Sequence, residues 1–463
     1  MMVVESLVYI ILAISIVIPI VAMLTSRTSK VIPGLAWLAI LLYAIVGLYA
    51  YTNAPIQLYG GLVVQDKFTA MLILAISLAA AIALLAAGVE PAYWESSPAY
   101  YSLLPLALFG TFYLVGAQDA LVVLSAWLLV SVISYVLLAL PTEKESRAAA
   151  VQYIFIGALA TLFLGIWVAG DYVISSELGR LGFSYTSLTP DHISGLVLMA
   201  FIAAIGFKTG MVPFHWWLPS VYSKGNGYMV GVVTGPIKIA FLGLLTKVII
   251  AASASQLVSG QIALILAALA VLTMTYGNVA ALTTRNFQKL LAYSSIAQVG
   301  YILVGLTAIA YLTPARSNPL LQLALAGIAI QATAYGVAKS ALFPVNIDES
   351  SLDKLKGLLS GNKIAAASTA ILLLSLLGMP PFLGFWGKLY LFYSATSYSL
   401  ILVAVALINS AISSAYYVRA LRDLVSPGGA VKPRPSVTVA LILAATVILV
   451  LGLIGPLYVA ALS

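Results

Sequence analysis

The sequence predicts an all-α polytopic membrane protein with about fourteen transmembrane helices. Three observations carry this. Of the 463 residues 62% are hydrophobic and only 8% charged, against about a quarter charged in a soluble domain. Apolar runs of about 20 residues, the length that crosses a bilayer core, recur along the whole chain. No alternating strand pattern is visible. A chain this poor in charge would expose apolar surface over most of its area, which excludes a soluble enzyme, a disordered chain and a disulfide scaffold.

The elements follow in order. Met1 to Ser6 carries no basic stretch and no small-residue cleavage site, so the first run, 6–25, reads as a retained helix rather than a signal peptide. Runs at 31–52 and 66–88 complete an N-terminal group within 1–99. Five more lie at 100–118, 119–140, 148–170, 192–222 and 228–253, and five at 261–283, 289–312, 320–346, 363–398 and 399–424. A last run spans 436–461. The seventh and twelfth are long and hold proline near the middle: Pro213 in one, Pro380 and Pro381 in the other. Proline removes a backbone donor and clashes with the preceding turn, so both helices are expected to break there. They are five spans apart and run in opposite directions. This points to an inverted repeat, helices 4–8 (100–253) against helices 9–13 (261–424).

Charge gives the orientation. The net charge is +8, but no basic run of useful length suggests nucleic acid. Most basic residues outside the spans, from Arg27 and Lys30 to Lys432 and Arg434, fall after odd-numbered spans. Only Lys67, Arg180 and Arg316 fall after even-numbered ones. Positive loops stay in the cytoplasm, so the bias puts both termini outside. The acidic residues fall in loops or at span ends. No cysteine is present, which excludes disulfides, thiolate zinc sites and cysteine-ligated iron–sulfur clusters within this chain. His192 and His215 are too few and too far apart for a metal site. No glycine-rich phosphate loop follows a strand, so no nucleotide site is expected.

Five lysines remain inside the spans: Lys208, Lys238, Lys247, Lys339 and Lys388. A lysine at a helix centre costs roughly 2.5–3.5 kcal/mol on insertion scales and marks a function by default. Desolvation disfavours an ammonium, so a buried lysine can give and take a proton near neutral pH. A row of them bridged by water is a proton relay. Lys208 lies five residues before Pro213, and Lys388 follows Pro380-Pro381. Lys238 follows Pro236. Lys247 sits near the outer end, where snorkelling to the interface competes with a transfer role. Tyr335 and Lys339 are four apart and share a helix face. His215 neighbours Lys208 across the break, and its ring suits a proton shuttle.

Three stretches resemble a known family: GFKTGMVPFHWWLPSVYSKGNGYMVGVVTGPIKIAFLGLL (Gly206–Leu245), NFQKLLAYSSIAQVGYILVGL (Asn286–Leu306) and LLGMPPFLGFWGKLYLF (Leu376–Phe392). Together they resemble the antiporter-like membrane subunits of complex I and of Mrp-type cation/proton antiporters, across about residues 100 to 425. The spacing of Tyr222 from Lys238, the run Lys238-Ile239-Ala240, and Tyr335 are most similar to the subunit N type. Lys339 is similar to the Mrp-type and hydrogenase-linked members. The resemblance implies that Lys208, Lys238 and Lys388 match the proton-transfer lysines of helices seven, eight and twelve. It also shows departures. Leu128 stands where the family usually carries a helix-five glutamate that pairs with the helix-seven lysine. Gln152 stands where a lysine is common, Ser220 where a Pro-Asp pair is usual, and Asn226 and Tyr228 where prolines are usual.

The expectation is a proton-translocating, antiporter-like subunit of a complex I-like respiratory complex, NADH/quinone-type or hydrogenase-linked, in a prokaryotic-type cell membrane. It would itself be non-catalytic and hold no cofactor. The resemblance implies NADH, iron–sulfur or quinone chemistry only in partner subunits. Two other readings stay open: a subunit of an Mrp-type Na⁺/H⁺ antiporter, and a structural subunit whose pumping is lost or altered by Leu128.

Overall fold

The structure, a computed structural model, describes residues 2–25, 30–88, 97–177, 192–315, 318–346, 355–428 and 432–455. Arg27, Arg180, Arg316, Lys354 and the side chain of His192 lie outside the described residues. The described chain is almost wholly helical, as the composition predicts. The N-terminal group is α1 (Met2–Leu24), α2 (Val31–Asn53) and α3 (Lys67–Ala87). Then come α4 (Ser97–Gly116), α5 (Ala120–Ala139), α6 (Lys144–Glu177), α7 (His192–Thr209), α8 (Leu218–Lys224), α9 (Gly227–Val232) and α10 (Lys238–Ala252). The second half holds α11 (Gln256–Thr283), α12 (Phe287–Leu312), α13 (Pro319–Leu342), α14 (Leu358–Gly361), α15 (Lys363–Leu377), α16 (Leu383–Ala395), α17 (Leu400–Val425) and α18 (Pro435–Leu453).

Twelve described segments are long and apolar enough to cross a bilayer. The other two expected crossings are split: 192–222 becomes α7 and α8, and 363–398 becomes α15 and α16. Helix starts follow from short polar side chains. Asp66, Asp119, Asn226, Asn286, Asn318, Asn362 and Ser399 each accept a hydrogen bond from a first-turn amide of the helix they precede. Each satisfies one of the orphan donors of a helix N-terminus.

Two expectations change. A β-hairpin joins α2 to α3: β1 (Ile56–Leu58) pairs antiparallel with β2 (Val63–Gln65), with Gly60 and Gly61 at positive φ in the turn. Strands of three residues are too short to show a two-residue period, so the sequence carries no strand pattern there. Asp171, placed at a span end by the sequence reading, lies inside α6, which continues to Glu177, and is only 7% exposed.

The crossing from Gly227 to Ala252 is buried except for Ile250 and Ala251 near its end and forms the centre, with α12 beside it; α1 is mostly uncovered at the rim. Hydrogen bonds between helix ends sort the loops into two sets. Asn226 donates to Ser146, Arg419 to the carbonyls of Leu282 and Thr284, and Ser436 to the carbonyl of Ala86. These all join ends of odd-numbered crossings. On the other side, Gln118 donates to the Leu62 carbonyl, Lys247 to Asp66, and the Tyr9 and Tyr59 hydroxyls meet.

Candidate functional site

Four of the five lysines are buried and are joined through neighbouring rings and amides. Lys208 is in the last turn of α7, which ends as Gly210 adopts φ 80 and donates to the Gly206 carbonyl at 2.8 Å. Lys208 is 4% exposed, and its ammonium donates to the Tyr135 hydroxyl at 3.0 Å. The rings of Tyr135, Tyr153, Phe241 and Trp127 lie within 6 Å of it.

Lys238 begins α10, directly after a π-helical turn over Val233–Ile237 that contains Pro236. The wider turn accommodates the missing proline N–H, a usual cause of such bulges at functional sites. Lys238 is 2% exposed, and its ammonium makes no hydrogen bond among the described residues. Its ammonium sits between the rings of Tyr222 and Tyr335, at 5.7 and 5.6 Å. Lys339 approaches the same Tyr335 ring at 5.9 Å. It is fully buried and donates to the Leu291 carbonyl at 2.7 Å and to the Ser294 hydroxyl.

Lys388 uses the second break. Gly378, at φ 91, ends α15 and leaves the carbonyls of Leu376 and Leu377 without helical donors. Lys388 donates to Leu377 at 2.7 Å and to Ser410 at 3.3 Å, under the Tyr301 ring at 4.5 Å. Gln298 donates to Leu376 at 2.8 Å and accepts from Gln331 at 2.6 Å. A broken helix thus supplies acceptors for a buried cation and a buried amide, as non-helical backbone inside a membrane protein must be satisfied.

Rings and amides join these stations. From Lys208, Tyr153 packs on Trp217 at 5.2 Å and Trp217 on Tyr222 at 5.9 Å, which reaches Lys238. Tyr335 spans Lys238 and Lys339. Ser294 and Gln298 on α12 then lead to the break at Lys388. Sequence reasoning missed Tyr135, Tyr153, Ser294, Gln298, Gln331, Tyr301, Asn278 and Asn409. A signal existed for some of them: Gln331, Tyr335 and Lys339 recur every four residues on α13, as Ser294 and Gln298 do on α12, the spacing of one helix face.

The remaining candidates lie apart. Lys247 pairs with Asp66 at 2.8 Å. His215, half-buried, packs on Tyr276 at 4.0 Å between ring centroids, not on a lysine. Pro213, Pro380 and Pro381 are exposed in the single chain, and Pro236 is buried. Leu128 is 41% exposed on an outward stripe of α5 with Leu121, Val132 and Val136.

A model of the family described as NADH:quinone oxidoreductase/Mrp antiporter, TM, matches residues 117–413. The chain is 32% identical over 398 residues to NADH-quinone oxidoreductase subunit N 2 of Acidobacterium capsulatum, covering 80% of this chain and 78% of that one. A chain of respiratory complex I from Thermus thermophilus, solved with bound aureothin, superposes with a TM-score of 0.81 at 24% identity, over 99% of both chains. A chain of the Mrp complex from a Dietzia species does so with a TM-score of 0.84 at 18% identity, over 100% of this chain and 96% of that one. The chain belongs to the NADH:quinone oxidoreductase/Mrp antiporter family.

Proposed function

We propose that this chain is a proton-translocating, antiporter-like subunit of a respiratory complex of the complex I type. The observation that supports it best is the connected series from Lys208 through Lys238 and Lys339 to Lys388. In this reading Lys208 is the central switch and Lys238 the relay. Lys339, with Tyr335, connects the relay to Lys388, which serves the exit. Moving one charge across 100 mV costs about 2.3 kcal/mol, so the work must come from redox partners. The loops after odd-numbered crossings face the cytoplasm, and both termini lie outside.

Two features support membrane partners. Broken backbone in a bilayer needs a covering, yet Pro213, Pro380 and Pro381 are exposed in the single chain. The relatives named above carry the names of multi-subunit assemblies. Lys247 serves as a structural pin through Asp66 rather than as a relay, and His215, packed on Tyr276, stands beside the series rather than in it.

The test is Lys208→Ala in the purified complex, reconstituted in vesicles. Proton uptake per electron pair should fall while electron transfer continues. Unchanged pumping per turnover would remove Lys208 from the path and favour a structural subunit. A second reading, a subunit of a gradient-driven Na⁺/H⁺ antiporter, draws on the Mrp-like fold. Sodium-dependent transport with no redox arm co-purifying would select it.

A further inference from the structure

Lys208 is held by neutral groups alone among the described residues. Trp127, Tyr135, Tyr153 and Phe241 surround its ammonium at 5.8, 4.6, 5.3 and 5.5 Å from their ring centroids. Its one hydrogen-bond partner is the Tyr135 hydroxyl, and no described carboxylate pairs with it. The groups that face it are Trp127 and Tyr135 from α5, Tyr153 from α6 and Phe241 from α10. Of these only the two tyrosines titrate. The rings brace one another: Tyr135 meets Tyr153 edge-on at 5.3 Å, and Trp127 meets Phe241 at 4.8 Å. The Trp127 indole N–H donates to Thr161 at 3.2 Å, and Thr161 donates to the Gly157 carbonyl at 2.9 Å.

Gly157 explains how the hydroxyl gets there. A Cβ built on this buried residue of α6 lands on the Tyr135 hydroxyl and ring. Any other residue at 157 would push the phenol away from Lys208.

We propose that Tyr135, seated against Gly157, is the positioning residue that holds Lys208 as an ammonium inside an aromatic cage, in the role a carboxylate would otherwise fill. Ring faces and a phenol oxygen attract the ammonium and do little for the neutral amine. The cage therefore sets how readily Lys208 yields its proton without moving a counter-charge. This inference rests on Lys208 being the proton switch.

The experiment compares Tyr135→Phe and Gly157→Ala in the intact reconstituted complex, with protons per turnover followed against pH. The first variant removes the hydroxyl and keeps the ring; the second keeps the tyrosine and displaces it. Losing one hydrogen bond to a charged group should make Lys208 lose its proton at about tenfold higher proton concentration. The alkaline limb of the pumping profile should therefore move about one unit towards acid in each variant. The double variant should move no further than Gly157→Ala alone, because displacing the ring already removes the hydroxyl contact. A wild-type limb in both single variants, or additive shifts, would overturn the cage. Lys208→Ala separates the two readings. If it abolishes pumping while Tyr135→Phe and Gly157→Ala keep the wild-type limb, only the cage fails; if it pumps normally, both fail.

Discussion

A buried amide can hold a site together as firmly as a charge. Asn278 of α11 is fully buried and donates to the Tyr301 hydroxyl at 3.0 Å and to the Asn409 carbonyl at 3.0 Å, and it accepts from Tyr416 at 3.1 Å. Tyr301 is the ring over Lys388. Asn278→Leu keeps the branched shape and removes the hydrogen bonds that Asn278 shares with Tyr301, Asn409 and Tyr416. Each buried polar group left unsatisfied costs about 1–3 kcal/mol. The variant should lose about 2 kcal/mol or more of stability, read as a lower unfolding midpoint of the purified protein, and pumping should fall with it because Tyr301 loses its anchor. An unchanged midpoint would mean that the three groups find other partners. At this scale the lysines were legible in the sequence because a cation in an apolar run stands out at once. Asn278, Gln298 and Gln331 were equally visible as letters. Their importance depends on which face meets which helix, and tertiary packing decides that.

At the scale of elements, helix positions were readable because hydrocarbon thickness sets their length. Depth within the bundle was not. In a bilayer the solvent is as apolar as the core, so hydrophobicity does not sort inside from outside. The rim helix α1 is in fact more apolar than the buried crossing Gly227–Ala252. The two breaks were legible from proline, whereas their use, lending carbonyls to Lys388 and Gln298, required the fold. The hairpin between α2 and α3 was invisible, yet it leads into Asp66, which caps α3 and pairs with Lys247 at 2.8 Å. Burial pushes the Asp66 carboxyl up. The Lys247 ammonium and the Thr69 amide and hydroxyl outweigh it and hold the group below its usual range. A carboxyl lowered on folding stabilises above its unfolded value, about 3.9, and that contribution is lost as pH falls through the folded value. Stability from this pin should thus be flat from neutral pH to about 5 and decline only in stronger acid. Asp66→Asn retains a capping oxygen but leaves Lys247 unpaired. With Asp66 partly exposed, the expected loss is about 1 kcal/mol, seen as a lower unfolding midpoint at pH 7, and the difference from wild type should shrink as pH falls through the folded value of Asp66. A wild-type midpoint at pH 7 would show that the pin carries no weight.

For the molecule as a whole, parity is the decisive property. An even number of crossings returns the chain to the side on which it began, and a miscount of one would put the termini on opposite sides. The structure bears on this through its end-to-end contacts. Tyr9, near the start of α1, meets Tyr59 in the hairpin after the second crossing. Lys247, near the end of the eighth, meets Asp66 directly after the same hairpin. Arg419, after the thirteenth, binds carbonyls at the end of the ninth. Each contact joins loops of like parity, as alternating crossings require. Only the absolute sense then depends on the lysine and arginine bias. The protein has no cysteine, so single cysteines can be introduced without background. Gln57, in the hairpin, and Lys224 and Lys289, after the seventh and ninth crossings, are all exposed. In intact cells a membrane-impermeant maleimide should label Gln57→Cys and spare Lys224→Cys and Lys289→Cys until the membrane is opened. The opposite pattern would reverse the orientation and with it the direction assigned to the lysine path. Labelling of Gln57→Cys together with either of the other two would break the parity itself. The division of the chain into opposed halves would then fail, because it requires the seventh and twelfth crossings to run in opposite directions.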